Sequence, residues 1–202
     1  MSPKVKDSHK EERKRNILEA AKKIFKKKGY EAFVMQDVID AVDLSRGGVY
    51  SYFSNKEDLF LSILESMNEA YEKEVKILTD KPSIWEALKA EFKSYKDLKD
   101  DEDAFSAVQI EYFLIKRREK TAFFKNRYQF AIEQLVNMIE QGVKNGEFHP
   151  KYSPETIAKY YITFNDGLHI AAIVISKNDL NYNEQIDLFL HQLGTMLGVE
   201  NL

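Results

Sequence analysis

The chain has 202 residues and a formal net charge of −3, with 44% hydrophobic and 12% aromatic residues but only 8 Gly and 4 Pro. That apolar content supports a sizeable core and excludes a disordered chain, and the scarcity of turn-formers argues against a many-stranded sandwich or barrel. No run of about 18 apolar residues occurs, and the N-terminus leads straight into Lys and Glu, so neither a membrane span nor a secretory signal is expected. The absence of cysteine removes disulfide scaffolds, thiolate nucleophiles and cysteine zinc sites, and fits a cytoplasmic protein.

In chain order the apolar residues recur at helical spacing. Ser8 and Glu11 form a capping box ahead of Ile17, Ala20, Ala21, Ile24 and Phe25, and Gly29 is placed to end that first helix. Met35, Val38, Ile39 and Val42 make a short second helix; Asp43-Leu44-Ser45 is a tight turn; Ser45 to Tyr52 forms a third segment. The Ser54/Glu57 box opens a long helix over 55–78, and Pro82 ends it. A fifth helix starts at the Ser83/Glu86 box, and Lys99 to Asp103 is a solvated connector. Two more helices follow, over 104–119 and from about Thr121 to Gly146, where Asn145-Gly146 reads as a helix end rather than a hairpin turn. Ser153-Pro154-Glu155 starts an eighth helix, apolar on all sides from Leu168 to Ile175 except at His169. A ninth spans about Asn183 to Leu197. The expected fold is all-α with about nine helices: a helix-turn-helix domain over 1–54, then a helical bundle over 55–202, the helix over 55–78 linking the two.

Charge is unevenly spread. Residues 1–60 carry 13 Lys and Arg against 10 Asp and Glu, whereas 61–202 carry 17 against 23. A basic head on an acidic body suggests a polyanion held at one end, although Lys22, Lys23, Lys26, Lys27 and Lys28 fit a solvated helix face equally well.

The segment Ser45-Arg46-Gly47-Gly48-Val49-Tyr50-Ser51-Tyr52-Phe53 carries the sharpest signal. Two adjacent glycines cost a helix about 1 kcal/mol each, so another requirement must favour them. A helix laid against a phosphodiester backbone gains from missing side chains. Arg46 can fork onto a guanine edge or a phosphate, Tyr50 and Tyr52 can donate hydroxyls to phosphates, and Lys56 sits at the next helix N-terminus. Val49 and Phe53 face the other way. The competing reading is an ordinary helical hairpin with turn glycines.

Residues 17–60, with Ile-Leu-Glu-Ala-Ala, Lys-Gly-Tyr, Leu-Ser-Arg-Gly-Gly-Val-Tyr-Ser-Tyr-Phe and Asn-Lys-Glu-Asp-Leu-Phe, resemble the DNA-binding domain of TetR-family transcriptional regulators. Glu140, Gly142, Gly146-Glu147-Phe148 and Asn165-Asp166-Gly167-Leu168 resemble segments of the regulatory half. The resemblance implies a homodimeric regulator, usually a repressor, that responds to a small molecule and dimerises through its last two helices. It assigns Ser45, Arg46, Gly47 and Ser51 to the groove-facing helix, Tyr50, Tyr52 and Lys56 to phosphates, and Gln36 to a position that often reaches DNA. Members of the family often carry Thr or Ser just before the second helix; Phe33-Val34 stands there instead, and Phe33 is expected to be buried.

A single recognition helix touches few base pairs, so specificity calls for two half-sites and a two-fold dimer. Leu168, Ala171, Ala172 and Ile175, with Phe189, Leu193 and Met196 on the last helix, are the expected seam, unless helix eight is the central core helix of the monomer. An effector pocket should be mostly apolar with a few polar groups. Gln109, Tyr112, Asn137, Asn165 and His169 are its candidate polar residues, and Trp85, Phe113, Tyr128, Met138, Tyr161 and Phe164 its walls, which suits a flat or hydrophobic effector. His169 could instead bridge the seam or cap a buried carbonyl.

Catalysis finds little support. His9, His149, His169 and His191 are isolated, and no metal-helix, phosphate-loop or nucleophile-elbow string occurs. No metal, cofactor or membrane partner is expected. The alternatives to a regulator are an all-α interaction module or a helical cofactor enzyme without DNA affinity.

Overall fold

The computed structural model describes residues 3–96 and 104–200, with side chains from 9 and from 105 onward. Among these residues the secondary structure is nine helices: α1 (Pro3–Ala32), α2 (Met35–Ala41), α3 (Arg46–Tyr50), α4 (Lys56–Thr79), α5 (Ile84–Lys96), α6 (Ala104–Lys116), α7 (Thr121–Lys144), α8 (Pro154–Val174) and α9 (Tyr182–Leu197). They form two compact units: Met1–Ala70 with Ala107–Tyr112, and Tyr71–Ser106 with Phe113–Leu202. The division falls inside α4 and gives the middle of α6 to the first unit. The connector expected at Lys99–Asp103 lies outside the described residues.

In the first unit, Ile17, Ala21 and Phe25 are fully buried along one stripe of α1. Phe33 stacks on Phe25 with ring centroids 3.8 Å apart, and Phe60 of α4 meets Phe25 edge-on at 5.1 Å. The aromatic residue that replaces a polar cap before α2 is therefore core, while Val34 beside it stays exposed. Gly29 breaks α1 at φ 80°, a left-handed conformation that glycine adopts at little cost. At the other end, α1 starts at Pro3 rather than at Ser8, because Pro suits a first turn and the lysines that follow are good helix formers; Ser8 is thus inside the helix, and its side chain lies outside the described residues. The cap of α4 also differs from expectation. Asn55 Oδ1 accepts the Asp58 N–H at 2.9 Å and Asp58 accepts the Ser54 N–H at 2.8 Å, which releases Glu57 from capping.

In the second unit, a core of Leu88, Phe92, Ile139, Phe148 and Phe189 joins α5, α7 and α9. The end of α7 shows why its residues are what they are. Gly146 turns the chain at φ 75°, and Phe148 then folds back so tightly that a Cβ on Gly142 would lie 2.1 Å from its ring. Between them, Glu147 reaches α5, where its carboxylate accepts the N–H groups of Ile84 and Trp85, each at 2.9 Å. Ser83 caps α5 by accepting the Glu86 N–H at 3.1 Å, and its hydroxyl in turn donates to the Glu147 carboxylate, so the acid at this helix start comes from Glu147 instead of Glu86. Ser153 Oγ accepts the Thr156 N–H at 3.2 Å at the start of α8, as the Ser-Pro-Glu string predicts. No helix among the described residues is long and apolar enough to cross a membrane.

The expected seam residues fall into three groups by exposure. Leu168, Phe189 and Leu193 are buried within the subunit, where Phe189 stacks on Phe164 at 4.2 Å, so they cannot face a second copy. Ala171, Ala172 and Met196 are half-buried, and only Ile175 is open. The apolar face that is free on α8 is instead Ile170, Ile173 and Val174, the last 80% exposed, with Leu188 exposed on α9. A residue apolar on every side of a helix has no sequence signal for which side meets its own subunit.

Candidate nucleic-acid interface and effector site

The recognition segment is held at both ends and open along one face. The five-residue α3 is capped by Ser45, whose Oγ accepts the Gly48 N–H at 3.1 Å, and closed by Ser51, whose Oγ donates to the Gly48 carbonyl at 2.6 Å. Such capping compensates a helix too short to persist alone. Val49 and Phe53 are buried beneath it, whereas Ser45, Arg46, Gly47, Tyr50 and Ser51 are exposed together. The Arg46 guanidinium lies 5.7 Å from the Tyr50 ring centroid. A Cβ on Gly47 would meet nothing within 4 Å, but one on Gly48 would touch Ser45 Oγ at 3.4 Å and Leu44. Gly47 thus leaves a gap on the outer face, and Gly48 serves the turn behind it. Gln36 is exposed at the start of α2 and donates to Asp40 at 2.7 Å. Tyr52 is half-buried against Phe53.

Lys56 has a different first task from the phosphate contact expected of it. Its ammonium donates to the carbonyls of Tyr30 and Glu31 at 3.0 and 3.1 Å and lies 4.7 Å from the Tyr30 ring centroid. It braces the break at Gly29 from the α4 side. Asp37 braces α2: it accepts from the Lys28 ammonium and from the Val34 N–H at 3.0 Å, and these two bonds hold its carboxyl below the usual range.

The expected effector residues do not converge. Tyr112 and Gln109 belong to the first unit: Tyr112 is fully buried, packs against Tyr30 and Phe60, and donates to Glu57 at 3.1 Å, while Gln109 donates to Met67 sulfur at 3.3 Å. Asn137 and Tyr128 are exposed on α7, and Met138 is core. Phe113 meets Phe124 at 4.8 Å. Asn165 donates to the Tyr161 carbonyl at 2.9 Å and His169 Nδ1 donates to the Asn165 carbonyl at 2.8 Å, so both are satisfied by their own helix. Trp85 is buried with its indole N–H unpartnered among the described residues.

Tyr161 and Phe164 do line the same region as groups the sequence reading missed. Phe92 on α5 contacts Tyr95 and Tyr161 edge-on, at 5.5 and 5.6 Å. Tyr95 donates to Glu91 Oε1, and Glu91 Oε2 is buried without a partner among the described residues. Burial pushes the Glu91 carboxyl up, and the like charge of Glu74 pushes it the same way. Burial also raises Tyr71, Tyr95 and Tyr161, with Glu91 the next cause for each. A glutamate in an amphipathic helix has no sequence signature for turning inward; the nearest clue was its place one turn before Tyr95.

Known proteins resemble the chain in both halves. Residues 17–63 match the family described as bacterial regulatory proteins, tetR family, and residues 92–182 match the tetracyclin repressor-like C-terminal domain. The HTH-type transcriptional regulator YfiR of Bacillus subtilis (strain 168) is 38% identical over 176 residues, 83% of each chain. The chain belongs to the TetR family of transcriptional regulators.

Within the family, the HTH-type transcriptional regulator QacR of Staphylococcus aureus is 29% identical over 183 residues, covering 87% of this chain and 91% of its own. The reduced form of Escherichia coli NemR shares the fold with a TM-score of 0.72 at 15% identity, over 94% of this chain and 99% of that one. A SmeT–triclosan complex does so at 0.71 and 18%, over 93% and 92%. TetR-family regulators bind DNA operators, usually as dimers, with small-molecule effectors. The all-α class and the helix-turn-helix reading of the sequence agree with this membership.

Proposed function

We propose that this TetR-family regulator binds an inverted-repeat operator as a homodimer in the cytoplasm, represses from it, and is released by a small molecule, with no catalytic step. The observation that carries the DNA reading is the outer face of α3, where Arg46 and Tyr50 flank the open gap at Gly47 while Val49 fixes the helix from below. An α-helix entering the major groove reads base edges with its N-terminal residues, and here those are Arg46 and Gly47. Ser45, Ser51 and Gln36 lie beside them; Tyr50, Tyr52 and Gly48 frame the approach of the backbone. Lys56 supports the site through Tyr30 and Glu31 and offers its remaining N–H to a phosphate.

The partner for the second half-site is another copy of the chain. Ile170, Ile173 and Val174 are spaced to share one face of α8, and Leu188 on α9 adds to the exposed apolar surface, which a second copy would remove from water. An effector releases the operator only to the extent that it binds the non-operator shape more tightly, each 1.4 kcal/mol of preference being about a factor of ten. Selection of bound duplexes from a random pool tests the reading. An inverted repeat with half-sites about 34–36 Å apart, or a multiple of a helical turn, is expected; no enrichment at low salt overturns it.

A further inference from the structure

We infer that Glu91 and the tyrosines around it form a binding site for an organic cation, a protonated amine on an aromatic or aliphatic body, and that this cation is the effector. The second half of that inference rests on the regulator reading above; the first does not.

Glu91 Oε1 is occupied by the Tyr95 hydroxyl, but Oε2 is buried and accepts nothing among the described residues. A buried acceptor left unmade is costly, and such orphans in a native fold call for a specific explanation. A water or a donor from another tyrosine would satisfy a neutral acid; a carboxylate is best served by a charged donor. The aromatic surroundings suit one. Tyr71, Tyr95 and Tyr161 all lie within electrostatic reach of Glu91, and Phe92 contacts Tyr95 and Tyr161 edge-on. Ring faces attract a cation and repel an anion. Glu74 adds a second negative charge near Tyr71 and Tyr95.

The four side chains also have the exposure of a lining rather than of a filled core. Tyr71, Glu91, Tyr95 and Tyr161 are half-buried by surface, yet burial is the largest influence on each of their titrations. Aromatic side chains gathered around one convergent carboxylate match the usual lining of a small-molecule site.

The test is a thermal-shift and calorimetric screen of the full-length protein with three matched sets: arylalkylamines, the corresponding alcohols and the corresponding carboxylates. Stabilisation confined to the amines is expected, with amine affinity falling about tenfold or more in Glu91→Gln. Tyr71→Leu supplies a second variant that leaves the carboxylate in place; it should weaken the amines as well while the protein still melts cooperatively. Hits among the alcohols or carboxylates instead of the amines, no amine hits, or amine binding intact in Glu91→Gln overturns the cation site. Operator binding is measured separately. If amines bind at Glu91 but never change operator affinity, the site stands and its role as effector site falls; if the protein binds an operator but no amine, the regulator reading stands alone.

Discussion

The Glu111 carboxylate grips the backbone at Tyr30. Its Oε2 accepts the Tyr30 N–H at 2.7 Å and its Oε1 the Glu31 N–H at 2.9 Å, immediately after the left-handed Gly29. Lys56 donates to the carbonyls of the same two residues, so one short stretch of chain is held by an acid from α6 and a base from α4. Hydrogen bonds to charged groups contribute about 1.5–3 kcal/mol when sheltered and less near the surface. Glu111→Gln should therefore destabilise by about 1–2 kcal/mol in urea unfolding. Combined with Lys56→Met it should be non-additive, because both act on one backbone segment.

Gly47 separates stability from function. Ala there meets no neighbour within 4 Å and improves helix propensity, so Gly47→Ala should raise stability by up to about 1 kcal/mol. On the proposed operator contact the added methyl would fill the gap on the outer face of α3, and affinity should fall. Arg46→Ala should cost about 1–3 kcal/mol of binding and relax base preference, with folding unchanged. Fluorescence anisotropy on the selected operator, alongside melting curves, reads both effects.

Gly142 and Glu147 make the opposite case. A methyl at Gly142 would sit 2.1 Å from the Phe148 ring, so Gly142→Ala should destabilise by about 1–3 kcal/mol or more through forced displacement of Phe148. Glu147→Ala removes the acceptor for Ile84 and Trp85 and should cost about 1–2 kcal/mol, as loss of a helix cap does. Thermal unfolding of each variant checks both.

On the proposed dimer, the exposed apolar residues of α8 and the buried core residues of α9 should give separable effects. Val174→Glu, at a position 80% exposed, should leave the subunit folded and yield monomers in sedimentation equilibrium, with operator affinity lost. Phe189→Ala, buried against Phe164, should instead cost about 3–5 kcal/mol of stability.

Glu91 makes stability depend on pH in a defined direction. Its folded carboxyl is raised by burial, so the unfolded chain releases this proton first. The group's contribution is most favourable below the ordinary glutamate range and declines as pH rises through the raised value. Glu91→Gln should melt higher than the native chain at pH 7, and the difference should shrink toward pH 4. Equal melting at both values would mean that Glu91 is satisfied in solution.

Much of the architecture was legible because it is written in short-range rules. Ser153-Pro154-Glu155 starts α8, Gly146 ends the turn after α7, and Phe33 in place of a polar cap turns inward, each from local stereochemistry and burial. The outer face of α3 followed in the same way: Val49 and Phe53 had to go under, which left Arg46, Gly47 and Tyr50 outside. Expectations failed where a partner comes from far along the chain. Glu86 was the reasonable cap for α5 by spacing, but Glu147 reaches the free N–H groups from the other end of the unit. Tyr112 and Gln109 had inward spacing, yet the interior they enter is that of the first unit.

The order of residues by itself determined the helices, the starts and stops set by a local cap or glycine such as Ser153 and Gly146, and the outer face of α3, since periodicity, caps and glycine torsions act within one or two turns. Which side of α8 is bare, which acid sits against Tyr30, and that Glu91 turns inward with one oxygen unmet were decided only in three dimensions. Those properties depend on which surfaces meet across long stretches of chain, and a helix face carries no label for the neighbour it will find.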